Sequence, residues 1–178
     1  DFAILMLASS LGIRASDICE MTLEAINFVK NELSFIQKKT SVPLTLPLLP
    51  DVKEALLGYL GYRKIDSTDE PIFIQCRAPY HKLTRMGIWT IMRRYVKQSG
   101  VDPGHRKRGT HALRSSLASS MVREQVPYYA VQKILGHERP QSTKNYVRID
   151  IGRLREFTLP VPEAYGRFDA FLKGGETR

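Results

Sequence analysis

Apolar residues at the start of the chain recur at helical spacing. Phe2, Leu5, Met6 and Ser9 share one face, which predicts a first helix ending near Gly12. A second, short helix is predicted from Ser16 to Met21, with Ser16 or Asp17 near its N-terminus. Between Ala25 and Leu48 the period shortens to two. Leu33 and Phe35 alternate with Ser34 and Ile36, and then Val42, Leu44, Leu46 and Leu48 alternate with Pro43, Thr45 and Pro47. This pattern predicts a small antiparallel sheet of three strands, with Lys39-Thr40-Ser41 at a hairpin tip. The prolines put the last strand at an edge, where a missing N–H costs nothing.

Helical periodicity then returns. Asp51 is placed to cap a helix that buries Val52, Leu56, Leu57 and Leu60. The polar stretch Asp66–Glu70 leads to the apolar segment Ile72-Phe73-Ile74. Thr84 begins a helix with Ile88, Trp89, Met92 and Val96 inward, and Gly100 stops it. After the basic run His105-Arg106-Lys107-Arg108, helices are predicted from Thr110 to about Arg123 and from Pro127 to Gly136, with Tyr146 on a further short helix. Two amphipathic pieces follow, Ile151–Phe157 and Pro162–Leu172. The expected fold is mainly α with a small antiparallel three-stranded β-sheet, an α+β arrangement.

A length of 178 residues suits one domain with a real core, spanning 1–178 with a tail at 160–178. The chain opens on Asp1 already in helical pattern, so the expectation is a fragment of a longer protein. No apolar run approaches the roughly 18 residues needed to span a bilayer, and none resembles a signal peptide. A soluble, cytoplasmic protein is expected. Cys19 and Cys76 stand apart with no ligand set around them, which favours reduced, buried thiols over a disulfide or a metal site. The net charge of +9 suits a polyanionic partner, although it also suits simple solubility.

The chemistry-bearing residues change this picture. Thr110-His111-Ala112-Leu113-Arg114 puts a histidine and an arginine three apart on one helix face. His137 follows the helix-stopping Gly136, and Tyr146 comes nine positions later behind a polar, basic stretch. The other tyrosines, including Tyr59, Tyr62, Tyr95, Tyr128 and Tyr129, fall at positions better explained by packing. A phenol attacking a phosphodiester meets two charged non-bridging oxygens. Arginine forks can neutralise the charge that grows there. Proton transfer at each end contributes on the order of 10²–10⁴ in rate. One tyrosine with two arginines and two histidines could do this without metal.

Six residues occur in order: Arg14 in Leu-Gly-Ile-Arg-Ala-Ser-Asp, Lys39 in Gln-Lys-Lys-Thr, His111 and Arg114 in Thr-His-Ala-Leu-Arg, His137 in Leu-Gly-His, and Tyr146. The set resembles the catalytic domain of the tyrosine recombinase (phage-integrase-type) family over nearly the whole chain. The resemblance implies that Tyr146 forms a 3′-phosphotyrosine and that Arg14 and Arg114 bind the non-bridging oxygens, with His137 adding a hydrogen bond. It makes His111 the general base and Lys39, immediately before Thr40, the general acid. Asp17 would support Arg14. Lys38, Arg106, Lys107 and Arg108 would contact DNA. The resemblance further implies double-stranded DNA as partner, no metal or other cofactor, and a homotetramer on two DNA sites. The terminal helix would pack either on its own domain or on a neighbouring protomer. Such an enzyme serves DNA integration, transposition and mobile elements. A type IB topoisomerase and a noncatalytic basic DNA-binding module are the alternatives.

Overall fold

The computed structural model describes residues 1–63, 70–102, 104 and 109–136. His137, Tyr146, the run Arg106-Lys107-Arg108 and both tail pieces lie outside the described residues. Helices α1 (Phe2–Ser10) and α2 (Ala15–Glu20) are followed by a 3₁₀ turn at Leu23–Ala25. Strands β1 (Ile26–Asn27), β2 (Glu32–Ile36) and β3 (Pro43–Pro47) come next, then α3 (Pro50–Tyr62), α4 (Arg85–Gln98), α5 (Thr110–Arg123) and α6 (Tyr128–Leu135). Mainly helical with one small sheet, the architecture is the expected one.

The sheet is antiparallel in the order β1-β2-β3, with Leu33 opposite Leu46 and Phe35 opposite Leu44. The edge position of β3 is as expected. Pro43 and Pro47 are its first and last residues, and its inward residues Leu44 and Leu46 are buried. Leu33, Leu44, Leu46 and Leu48 join one core with the buried faces of α1 to α4. Ile72 and Phe73 enter that core from a segment fastened by isolated bridges Thr22–Pro71 and Ile74–Lys82. A smaller cluster of Ala118, Val131 and Leu135 holds α5 to α6.

Several expectations need correcting. The buried face of α1 is Ala3, Ile4, Leu7 and Ala8, while Phe2 is 65% exposed. This helix is apolar nearly all round, so periodicity could not choose its face. Helix α3 begins at Pro50, not at an Asp51 cap, with proline in the first turn where its missing N–H is no loss. Leu57 points outward. Thr84 does cap α4, accepting from the Gly87 N–H at 3.1 Å. Ile88 and Met92 are buried in α4, but Trp89 is 40% exposed, with the Arg93 guanidinium 5.4 Å from its ring centroid. Cys19 is buried as expected, whereas Cys76 is exposed. Burial pushes the Cys19 thiol upward, with Glu20 adding to the effect, and this keeps it protonated.

Gly12 ends the first helical segment with φ of +63°, a conformation that costs other residues about 1–3 kcal/mol. A Cβ there would also lie 3.0 Å from the Leu117 and Leu135 methyls. Gly12→Ala should therefore lower stability by at least about 1 kcal/mol. Thermal melting that left Tm unchanged would disprove this account of the turn.

Candidate functional site

The turn at Leu11-Gly12-Ile13 is buried, and it delivers Arg14 to the start of α2. The Arg14 carbonyl accepts the Asp17 and Ile18 N–H groups at 2.9 and 3.0 Å, so the backbone of this residue opens the helix. Asp17, in the first turn, is buried. Its Oδ1 accepts the Lys38 backbone N–H at 2.9 Å, and the Ser16 hydroxyl donates to it at 3.3 Å. Its Oδ2 faces Arg14 Nη1 at 4.0 Å. Neither of those two buried atoms has a hydrogen-bond partner among the described residues. A shift of about 1 Å would turn their contact into a charge-assisted hydrogen bond. One carboxylate thus holds both Arg14 and the β2–β3 hairpin.

The tip of that hairpin carries Lys38 and Lys39, both exposed. Lys38 is committed elsewhere, because its Nζ donates to Glu20 at 2.5 Å. Lys82 donates to both oxygens of Glu20 at 3.1 Å. The bond from Lys38, and next those from Lys82, hold the Glu20 carboxyl below the usual carboxylate range. Lys39 lines the same cleft of about 450 Å³, with Ser16, Cys19, Thr84 and Arg85. The cleft is cationic at its rim, as a surface that meets a polyanion should be.

His111 is exposed in the first turn of α5, as its position after Gly109 suggests, and Gly109 offers no side-chain cap. Arg114, one turn on, is buried. Its Nη1 donates to the Gly12 carbonyl at 2.6 Å and its Nη2 to the Leu135 carbonyl. Arg114 therefore binds the turn that precedes Arg14 to the end of α6. Gly136 closes α6 in the left-handed conformation, with φ of +57° and ψ of +52°. Gln37 fills the space where a Gly136 Cβ would stand, with side-chain atoms 2.4 to 2.6 Å from it.

The structure brings together Arg14, Asp17, the Lys38–Lys39 hairpin and Arg114, drawn from three distant stretches. Sequence reasoning missed Gln37, Glu20 and Lys82. The signal for Gln37 was present, since it is a polar residue continuing the alternation of β2 toward the core. Glu20 and Lys82 could be paired only in three dimensions. Burial does not separate Tyr146 from all its rivals, because Tyr62 and Tyr129 are 88% and 65% exposed. The order of motifs is what singles it out.

The model of the phage integrase family matches residues 1–153. The chain belongs to the phage integrase family. A putative integrase/recombinase of Sinorhizobium fredii, y4gC, is 33% identical over 162 residues, which is 91% of this integrase-family chain and 83% of that protein. Tyrosine recombinase XerA of Pyrococcus furiosus is 30% identical over 161 residues, 88% of the chain and 52% of XerA. The integrase-family chain thus spans about half the length of that relative. Among solved structures, a XerA recombinase aligns with a TM-score of 0.72 at 21% identity, covering 92% of this chain and 58% of that one. A lambda integrase dimer bound to a COC′ core site aligns with a TM-score of 0.62 at 24% identity, covering 91% and 55%. The fold is that of a tyrosine recombinase catalytic domain, and among the described residues no helix is long and apolar enough to cross a membrane.

Two consequences of this geometry are measurable. Asp17→Ala removes the acceptor of the Lys38 N–H and should cost about 1–3 kcal/mol in urea unfolding, with Asp17→Asn losing less because an amide oxygen still accepts. Equal losses would mean that the charge, not the hydrogen bond, holds the hairpin. Glu20 has a lowered pKa in the fold, so its contribution is present above the ordinary carboxylate value and fades as pH falls through the folded one. The stability difference between wild type and Glu20→Gln should therefore shrink on acidification, and a gap that widened would reverse the sign assigned here.

Proposed function

We propose that this chain is the catalytic part of a site-specific recombinase that breaks and rejoins duplex DNA through a 3′-phosphotyrosine, using neither metal nor ATP. The observation that carries this reading is the buried frame that gathers Arg14, the Lys39 hairpin and Arg114: Asp17 faces Arg14 Nη1 at 4.0 Å and accepts the Lys38 N–H, and Arg114 donates to the Gly12 and Leu135 carbonyls. Relatives named as tyrosine recombinases support it further.

In this reading Tyr146 Oη attacks the scissile phosphorus while His111 takes its proton. The P–O5′ bond breaks as the new O–P bond forms, and Lys39 protonates the departing 5′ oxygen. Arg14 and Arg114 stabilise the two non-bridging oxygens, and His137 donates a further hydrogen bond. Each such donor is commonly worth about 3–4 kcal/mol in the transition state. Arginine suits the task because its charge persists at any working pH and its fork matches two oxygens. One diester replaces another, so the bond energy is kept and the second exchange can reverse the first. Arg106, Lys107 and Arg108 contact backbone phosphates, which position DNA without reading its sequence. Four copies act on two duplexes.

The test uses the full-length protein and a nicked suicide duplex carrying the site that this protein selects from a randomised DNA pool. Wild type should form a covalent adduct that Tyr146→Phe abolishes. Arg114→Lys should cut adduct formation by about 10²–10³ because the fork is lost. Survival of the adduct in Tyr146→Phe would move the nucleophile to another residue. Relaxation of supercoils without exchange between two marked duplexes would instead favour a type IB topoisomerase.

A further inference from the structure

Gln37 lies two residues before Lys39 and is almost wholly buried, at 1% exposure. Each of its polar atoms has a partner, three in the hairpin and one at the end of α6. Its N–H donates to the Val42 carbonyl at 2.9 Å, and its carbonyl accepts the Ser41 N–H at 2.8 Å. Its side-chain oxygen accepts the Thr40 hydroxyl at 2.8 Å, and its side-chain nitrogen reaches the Leu135 carbonyl at 3.4 Å. Leu135 is the last residue of α6, and the same carbonyl accepts Arg114 Nη2. The next residue, Gly136, has no room for a Cβ because the Gln37 carboxamide occupies that space.

We propose that Gln37 is a positioning residue that couples the lysine hairpin to Arg114 and to the turn at Gly136, so that Lys39 and the arginine meet the same phosphate. This rests on the general-acid reading of Lys39. A two-stranded tip is soft by itself, and an exposed lysine on it samples many positions. A buried carboxamide fastened to both Thr40 and the α6 terminus removes that freedom, and a misplacement of about 1 Å can cost on the order of 10² in rate. A purely hydrophobic side chain of the same length would fill the volume but would not fasten the tip.

The test compares the suicide duplex described above with one whose scissile leaving oxygen is replaced by bridging sulfur, since a thiolate leaves without needing a proton. Gln37→Met in the full-length protein should cleave the oxygen substrate about 10²-fold more slowly and the sulfur substrate within several-fold of wild type. Lys39→Ala should show the same pattern. Should Gln37→Met fail to fold, as judged by circular dichroism, Thr40→Val removes only the hydroxyl that donates to Gln37 and should show a smaller version of the same split. If Lys39→Ala is rescued by sulfur while the folded Gln37 or Thr40 variant is equally slow on both substrates, or unimpaired on oxygen, the coupling role is overturned and the general acid stands. If sulfur fails to rescue Lys39→Ala, the general-acid reading falls and the proposal falls with it.

Discussion

The buried guanidinium of Arg114 imposes the constraint on which the site's geometry depends. A charge taken out of water is costly unless its hydrogens find acceptors, and this one spends two of its five donors on backbone carbonyls far apart in sequence. Gly12 and Leu135 must therefore stay where the fork can reach them. The first belongs to the turn that delivers Arg14, and the second ends the helix that leads into Gly136. A residue that the family resemblance casts as a phosphate ligand is also the strut that sets the spacing of its neighbours.

The same economy recurs at the Leu135 carbonyl and at Asp17. Leu135 receives Arg114 from α5 and Gln37 from the sheet, so the end of α6 is registered against both. Asp17 faces Arg14 and accepts the Lys38 backbone N–H, so α2 and the hairpin tip cannot drift apart independently. Glycine is required at both ends of this web. Gly12 and Gly136 take left-handed backbone, and at each the space beside the Cα is already filled by a packed side chain. Around this buried web Lys39 and His111 are exposed.

Much of this was legible along the chain. The change of period between Ala25 and Leu48 revealed the sheet, because strand burial alternates and helical burial does not. Gly136 and Pro127 bounded α6, and Thr84 marked the start of α4. Errors arose where local pattern was degenerate. An all-apolar α1 offered no preferred face, and Trp89 was turned to the surface because Ile88 and Met92 already fill the buried side of α4. Cys76 sits in a segment with no periodicity to indicate its exposure.

By itself the sequence determined which residue types were available for phosphodiester chemistry, their order, and the helices and hairpin that carry them, since periodicity and turn chemistry are local. Tertiary structure alone decided that Asp17 serves Lys38 as well as Arg14, that Arg114 is anchored to Gly12 and Leu135, and that Gln37 locks the hairpin against Gly136. These choices join groups up to 102 residues apart through single hydrogen bonds. No local pattern encodes such a bond, because its partners meet only when the burial of the whole chain has brought them within about 3 Å.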